Sequence, residues 1–146
     1  MAFLNTFLDR DPAAGEAPWA IELDTDLTDL AGRPPAGLVG IVGLWPTGFD
    51  PPFTHRADPC IVIGWRLARP WWGQGLVTEA AATCLAHGRD ALGLPEVVAF
   101  TSAGNQRSRA VMTRLGMLPD TDADFDHQRL PADDPRRRHV VYRTNW

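Results

Sequence analysis

Two glycines, Gly73 and Gly75, stand where an apolar run gives way to a helical pattern, and this arrangement can bind an anion. They fall within WRLARPWWGQGLVTEAA, residues 65–81, and form the turn Trp72-Gly73-Gln74-Gly75. A helix N-terminus offers unpaired backbone N–H groups and the positive end of the helix dipole, which suit a phosphate or pyrophosphate. Glycine also lets the anion approach the backbone closely. A plain tight turn between strand and helix would use the same glycines, so the turn alone leaves both interpretations open.

The turn matches neither of two common phosphate-binding motifs in full. A dinucleotide-binding fingerprint would have a third glycine where Thr78 stands, and a Walker A loop would continue with Gly-Lys-Ser/Thr. The chain contains no lysine. A Walker A loop and Schiff-base chemistry on lysine are therefore excluded.

The composition is that of an ordinary globular protein and predicts one domain over residues 1–146. The chain is 45% hydrophobic and 22% charged, with a formal net charge of -4, so it has no general attraction for nucleic acid or anionic membranes. The apolar residues near the N-terminus are too few for a signal or membrane-spanning segment. We expect a cytoplasmic protein with neither nucleic acid nor membrane as a partner.

Thiol chemistry is not expected. Cys60 and Cys84 are isolated among apolar residues, which favours buried free thiols over a disulfide or a nucleophile. The basic run 136–138 follows two aspartates and a proline, and it predicts an ion-paired turn. His55 and His87 have no neighbours in the sequence that would make them metal ligands.

A metal site is not expected either, although one acidic stretch resembles the start of a calcium loop. Phe125 and Pro131 stand where such a loop needs a glycine and a bidentate glutamate. The stretch is predicted to be a strand, on which its acids would share one solvent-exposed face that could also attract a cationic amine. The four acids are Asp120, Asp122, Asp124 and Asp126.

The elements before the glycine turn are predicted to be strands. Residues 19–23 alternate apolar and polar side chains, and residues 38–45, LVGIVGLW, form a second run. We expect these two to pair as an antiparallel hairpin. After a proline-rich irregular connection over 46–59, residues 61–67 are apolar on both faces, which predicts a central strand.

The elements after the turn alternate between helix and strand. One helix is expected from the turn to about Leu92, then a strand over 96–101, which implies a parallel crossover. A second helix is expected over 105–116, with further strands over 118–125 and 139–143. These elements predict an α/β fold.

Two motifs within this order resemble the GNAT superfamily of acetyl-CoA-dependent N-acetyltransferases. They are WWGQGLVTEA at the turn and Asn-x-x-Ser-x-x-Val-Met-x-x-Leu-Gly-Met from Asn105. With the closing stretch FDHQRLPADDPRRRHVVYR, they are most similar to the RimJ/RimL-type branch, which acetylates protein N-termini. The resemblance covers residues 19–143. It implies a three-layer α/β/α fold with a mixed, central, twisted sheet, and acetyl transfer from acetyl-CoA to a primary amine of a protein N-terminus or a small molecule, without a metal.

The resemblance also implies how the coenzyme binds. Its pantetheine arm would run between two parallel strands and pair with the backbone of Trp65, Arg66 and Leu67, and the side chain of Asn105 would bond the arm. The alternative for Asn105 is a plain helix cap. The pyrophosphate would lie on the backbone of the turn and the helix start, that is on Trp72, Gly73, Gln74, Gly75, Leu76, Val77 and Thr78.

Ser108 and His127 are the candidate catalytic residues. In this branch the serine that matches Ser108 is the proposed general acid, whereas many other family members use a tyrosine, where this chain has Met112. The alternative for Ser108 is an ordinary polar position in a helix. His127 has an unperturbed pKa of about 6.5, which suits proton removal at neutral pH, although histidines more often lie at the surface or serve structure.

The front of the chain departs from the family pattern. Family members begin with one more strand and two helices before the strand at 19–23, whereas only residues 1–8 precede it here as a helix remnant. We therefore expect an N-terminally truncated domain whose first strand, with Trp19, Ile21 and Leu23 on one face, has an open edge. Such an edge pairs readily with another chain, which predicts a homodimer through this edge or else a poorly soluble monomer. The missing front also motivates an alternative function, a non-catalytic module that binds coenzyme A or another protein.

Overall fold

The computed structural model describes residues 18–22 and 37–146, and these form a mixed sheet with two α-helices. The helices are α1 (Leu76–Asp90) and α2 (Gln106–Arg114), and 3-10 turns span Arg69–Trp71 and Thr121–Ala123. The α/β fold with a mixed sheet expected from the sequence is confirmed. The seven strands are β1 (Trp19–Glu22), β2 (Leu38–Pro46), β3 (Ile61–Leu67), β4 (Val98–Ser102), β5 (Leu118–Pro119), β6 (Phe125–Asp126) and β7 (Arg138–Arg143).

The strand order is β1-β2-β3-β4-β7-β5, and β6 also pairs with β7. The first three strands are antiparallel neighbours, with β2 and β3 in register from Gly40 opposite Leu67 to Pro46 opposite Ile61. Strands β3 and β4 are parallel, and α1 connects them. The predicted hairpin, the central position of the strand over 61–67 and the parallel crossover are therefore confirmed.

Both helices pack against one face of the sheet, which we call the helix face. On this face Ile63 of β3 and Ala99 of β4 join a buried cluster with Met112 of α2. A Cβ atom on Gly88 would lie 2.9 Å from Leu44 Cδ1, so the glycine lets α1 approach the sheet closely. The buried residues of α1 recur at helical spacing: Val77, Ala81, Cys84, Leu85 and Gly88.

Irregular segments cover the opposite face, which we call the loop face. Here Val62, Val98 and Val141 from three neighbouring strands pack under side chains from the connection over 47–60 and the segment over 120–130. Within residues 18–22 and 37–146, no α-helix packs against this face. The aromatic residues of this cluster are Trp45, Phe49, Phe53, Phe100 and Phe125.

A buried carboxylate ties the irregular segments to the sheet. Glu96, 3% exposed, accepts hydrogen bonds from the Arg56 backbone at 2.7 Å and from Arg143 Nη1 at 3.1 Å. Arg143 also binds Asp120 at 2.6 Å and the carbonyl of Thr54 at 2.7 Å. Because a buried charge must be paired, this network fixes the two loop-face segments to β4 and β7.

The predicted strand over 118–125 is wrong, since β5 ends at Pro119 and a 3-10 turn precedes β6. The strand is interrupted because a side chain, and not a backbone carbonyl, accepts a hydrogen bond from the neighbouring strand. Val141 of β7 donates its backbone N–H to Asp124 Oδ1 at 3.0 Å. The chain therefore turns between the two short strands instead of continuing the ladder.

The four acids of this segment do not form the shared solvent-exposed face that a strand would give them. Asp124 bonds a backbone amide and Asp120 pairs with Arg143. Asp126 lies 3.6 Å from Arg137 and 3.5 Å from Arg138. These three carboxylates bond groups of the fold and Asp122 lies in the 3-10 turn, so the strand face that was expected to present the four acids together is not formed.

Strand β1 lies at one end of the sheet. It pairs with β2, with an irregularity in register between Ile21 and Glu22. Among the described residues no strand lies on its other side. Residues 1–8 and Leu23 lie outside the described residues, and the homodimer through this edge stays a prediction.

Candidate active site

A gap between two parallel strands creates a cleft. Val62 and Val98 are the register pair that joins β3 to β4, whereas all of β4, from Val98 to Ser102, pairs with β7 on its other side. The later residues of β3 therefore lack β4 as a neighbour. A cleft of about 460 Å³ opens there, lined on the β3 side by Gly64, Trp65 and Arg66.

The cleft connects the two faces of the sheet. Ser108 and Met112 of α2 line it from the helix face, and Trp45, Phe49 and Phe100 line it from the loop face. Side chains from both faces of the sheet therefore line one cleft.

The glycine turn has an open geometry at the start of α1. Gly73 and Gly75 have φ of +79° and +82°, and a Cβ atom on either would meet no other atom within 4 Å. Gly75 is the N-cap, so no side chain caps the helix, and Glu79 N makes a backbone bond to Gly75 O at 3.0 Å. The N–H groups of Leu76, Val77 and Thr78 precede that bond and lie at the positive end of the dipole.

The side chain of Trp72 braces this turn. Its indole Nε1 donates to Leu67 O at 2.8 Å, which ties the turn to the end of β3. The guanidinium of Arg107 lies over the indole ring, 4.5 Å from its centroid. The first turn of α2 therefore brings a positive charge to the glycine turn, a contact that the sequence analysis missed.

Asn105 caps α2 and holds Ser108. Its Oδ1 accepts from Ser108 N at 3.2 Å, and its Nδ2 donates to Thr101 Oγ1 at 2.9 Å and to Ser108 Oγ at 3.0 Å. Both amide hydrogens are therefore used inside the protein, so Asn105 could bond a pantetheine arm only as an acceptor. Ser108 Oγ accepts a hydrogen bond, which leaves its own hydrogen to be donated.

His127 lines the same cleft from the loop face. Burial, the nearby His139 and then Arg129 lower its pKa below the usual 6.5. The ring centroids of His127 and His139 are 4.9 Å apart. His127 Nδ1 accepts the backbone N–H of Arg129 at 3.3 Å, which places the hydrogen of the neutral ring on Nε2.

The structure brings five of the predicted site residues to the cleft: Trp65, Arg66, Asn105, Ser108 and His127. The glycine turn lies beyond its lining, past the C-terminal end of β3, and Leu67 contributes its carbonyl to Trp72. Sequence reasoning missed several other lining residues, because the irregular segments that carry Thr47, Phe49 and Arg129 have no periodic pattern and because a strand pattern alone does not say which of its residues meet a cleft. The missed lining residues are Trp45, Thr47, Phe49, Phe100, Thr101 and Arg129.

The described residues offer few other reactive groups. They contain no cluster of three or more His, Cys, Asp or Glu side chains that could hold a metal. Cys60 and Cys84 are free and buried as predicted, and burial raises the pKa of each thiol to about 11. Within the same part of the chain, neither helix has the length and apolar character that crossing a membrane requires.

Comparison with known families identifies the domain. The family model for the acetyltransferase (GNAT) domain matches residues 2–118. The chain belongs to the GNAT acetyltransferase family.

The individual relatives share a low sequence identity with this chain. An FsC-acetyl coenzyme A-N(2)-transacetylase of Aspergillus fumigatus is 31% identical over 86 residues, which cover 57% of this chain and 36% of that protein. The chain thus spans about a third of this curated relative.

Solved structures share the fold. RimJ of Mycobacterium smegmatis, in complex with CoA-disulfide, is 26% identical with a TM-score of 0.58, over 74% of this chain and 47% of that one. The microcin C7 self-immunity acetyltransferase MccE, in complex with acetyl-CoA and AMP, is 14% identical with a TM-score of 0.64, over 99% and 69% of the two chains. RimJ is thus one GNAT neighbour among several, and the GNAT family resemblance is confirmed.

Proposed function

We propose that this protein is an N-acetyltransferase that moves an acetyl group from acetyl-CoA to a primary amine. The observation that carries this proposal is the cleft that crosses the sheet, with an uncapped helix start near one end and Ser108 and His127 within it. Family membership and the names of the relatives support it.

The residues around the turn fit the phosphates of the coenzyme. The open space at Gly73 and Gly75, the N–H groups of residues 76–78 and the charge of Arg107 together form a site that attracts an anion. The edge of β3 along the cleft is free of β4 and can pair with the amides of a pantetheine arm. When bound, acetyl-CoA supplies an activated acetyl group as a thioester.

Ser108 is the proposed donor of a hydrogen bond to the leaving sulfur. Since its Oγ already accepts from Asn105 at 3.0 Å, its hydrogen is directed elsewhere. The attacking amine forms the new C–N bond while the C–S bond breaks, and the sulfur leaves as a thiolate. A thiol with a pKa of about 8.5 needs a hydrogen bond more than full proton transfer, so Ser108 stabilises the thiolate.

His127 is the proposed acceptor of the proton that the amine loses. The lowered pKa keeps its ring neutral at pH 7, as a base requires. To accept at Nε2, the ring must move its hydrogen to Nδ1 and give up the 3.3 Å bond from the amide of Arg129. A bond of this kind is worth roughly 0.5–1.5 kcal/mol, so the tautomer change costs little compared with the barrier to acyl transfer.

Turnover assays test the proposal. Free thiol release from acetyl-CoA is followed with a panel of amines and peptide N-termini, and acceptor-dependent release is the expected result. Ser108→Ala should lower kcat about tenfold or more while calorimetry shows little change in coenzyme binding, because the lost contact matters mainly in the transition state.

Thr113→Val serves as the matched control, since it removes a hydroxyl from the same helix that bonds only Arg109 O. It should leave kcat unchanged. Coenzyme binding without turnover of any acceptor would favour the alternative, a non-catalytic module that keeps the fold.

A further inference from the structure

The acceptor side of the cleft carries positive charge and no described carboxylate. Its charged lining residues are Arg66 and Arg129, and neither Asp nor Glu is among the described residues that line it. A site that selected acceptors through their cationic amine alone would be expected to offer a negative partner. The described lining instead favours a molecule that brings a negative charge of its own.

The carboxylates nearest to Arg129 in the sequence bond other groups of the protein. Asp126, which precedes His127, lies between Arg137 and Arg138 at 3.6 and 3.5 Å. Asp124 is held by the backbone of Val141 and Asp134 by Arg136. None of these acids balances the charge of Arg129.

Arg129 itself forms no salt bridge with any described residue. One guanidinium nitrogen, Nη2, donates to Gly48 O at 3.3 Å, and the group lies 6.0 Å from the ring centroid of Phe49. A guanidinium has five donors in a planar fork that fits a carboxylate or phosphate through two parallel hydrogen bonds. Most of that capacity stays available on the cleft side.

The turn that carries Arg129 is fixed beside the proposed base. Its backbone N–H bonds His127 Nδ1 at 3.3 Å, and Leu130 N donates to His127 O at 3.1 Å. The side chain of Arg137 donates to Leu130 O at 2.5 Å. An anion on Arg129 would therefore lie close to an amine that approaches His127.

We propose that the amine acetylated in this cleft carries a negatively charged group close to its amino group, and that Arg129 binds that group. The inference rests on the proposed acetyltransferase function and names its substrate class. A small amine with a free carboxylate fits this description, with the aromatic side chains Trp45, Phe49 and Phe100 to pack against its apolar part. An ordinary peptide N-terminus, whose first carboxyl is an amide, lacks the required charge.

The test compares pairs of acceptors that differ in this charge, with kcat/KM expressed per neutral amine because the free carboxylate also raises the pKa of the amino group. Glycine, leucine and phenylalanine are each assayed as the free acid and as the carboxamide, together with alanine-initiated peptides. For the wild type, we expect kcat/KM about 10- to 100-fold higher for the preferred acid than for its amide, the size of effect expected for a charge-assisted bidentate contact. Arg129→Gln should reduce this ratio to near one, and Arg129→Lys should give an intermediate ratio because it keeps the charge without the fork.

Arg114→Gln is the charge-matched control, because this exposed arginine in the last turn of α2 does not line the cleft. It should leave the ratio unchanged. The Gln variant at 129 keeps the backbone N–H to His127, so it separates the anion contact from the positioning of the ring.

Failure of this inference and failure of the proposed function give different results. If amides and peptides are acetylated as well as acids, or if Arg129→Gln keeps the acid preference, the inference is overturned while acetyl transfer stands. If the protein binds coenzyme A but acetylates nothing, N-acetylated acids and their amides are titrated into that complex, and equal binding overturns the inference. If coenzyme A does not bind at all, the proposed function fails, and the same titration of the protein alone still decides whether Arg129 selects an anion.

Discussion

The two faces of the sheet are built by different means. On the helix face, apolar side chains at regular spacing pack α1 and α2 onto the strands, and the core is continuous. On the loop face, irregular segments are fastened by an aromatic cluster and by the charged network of Glu96, Arg143 and Asp120. The helix face carries the proposed coenzyme site, and the loop face carries the residues proposed to recognise an acceptor. A regular scaffold therefore holds the first site, and aromatic and polar contacts between irregular segments hold the second.

The largest effect should come from breaking the network under the loop face. Glu96→Ala removes the buried acceptor of both Arg143 and the Arg56 backbone N–H. Since Asp120 still pairs with Arg143, we expect a loss at or somewhat below the roughly 3–5 kcal/mol that breaking a buried ion pair costs. Urea unfolding should show this loss. Hydrogen exchange should rise mainly in segments 47–60 and 120–130 while α1 stays protected.

Asp90→Ala is the control for this change, since it removes an exposed carboxylate that pairs only with the adjacent Arg89. Stability should change little, because exposed ion pairs contribute little. Equal loss in both variants, or equal loosening of both faces by Glu96→Ala, would contradict the comparison.

The next effect concerns the coenzyme end of the helix face. Gly75→Asp places a negative charge beside the proposed phosphate site, and at about 5 Å the repulsion amounts to roughly 1–3 kcal/mol at effective dielectric constants of about 80 to 20. Calorimetry should therefore show coenzyme A binding weakened about 5- to 100-fold. The change also strains the backbone, because Gly75 has a φ of +82°.

Gly93→Asp controls for that strain. Gly93 lies just beyond the other end of the same helix, with φ of +61° and open space around it, so both variants carry a similar backbone penalty. Only Gly75→Asp should lose affinity. If the two variants bind the coenzyme equally well, the anion does not rest on this turn.

The same contrast explains how far the sequence predicts this protein. The regular elements were legible because the apolar side chains of α1 recur at helical spacing and because Gly75 and Asn105 mark helix starts. The strand expected over 118–125 failed because the side chain of Asp124, which no periodicity reveals, replaces a backbone partner of Val141. Phe49 and Arg129 reach the cleft from irregular segments, where contacts between distant residues alone decide the position.

The features of the candidate site also differ in whether the sequence predicts them. Ser108 could be named from the sequence because it matches a serine of the family motif that begins at Asn105. The sequence could not predict that both Asn105 amide hydrogens bond Thr101 and Ser108, because this depends on how β4 packs against α2. His127 could be named by type, but the ring nitrogen that faces the amide of Arg129 is a property of the folded turn.

The smallest effect, and the most direct test of the loop face in catalysis, is the pH dependence that His127 should impose. Because its pKa is lowered from 6.5 by burial and by the charges of His139 and Arg129, the neutral ring persists at pH 7 and protonates only at more acidic pH. In the wild type, kcat/KM expressed per neutral acceptor amine should therefore fall with an acidic limb whose midpoint lies below 6.5. His127→Gln should lower kcat/KM several-fold at neutral pH and remove that limb, whereas His55→Gln, outside the cleft lining, should keep it.

Stability supplies a second readout, since a lowered folded-state pKa gives a contribution that is present above about pH 6.5 and is lost as pH falls towards the folded pKa. An unchanged limb in His127→Gln would show that another group accepts the proton. If that variant also keeps its rate, as a glutamine N–H in place of the ring Nε2–H allows, the ring acts as a hydrogen-bond donor and not as the base.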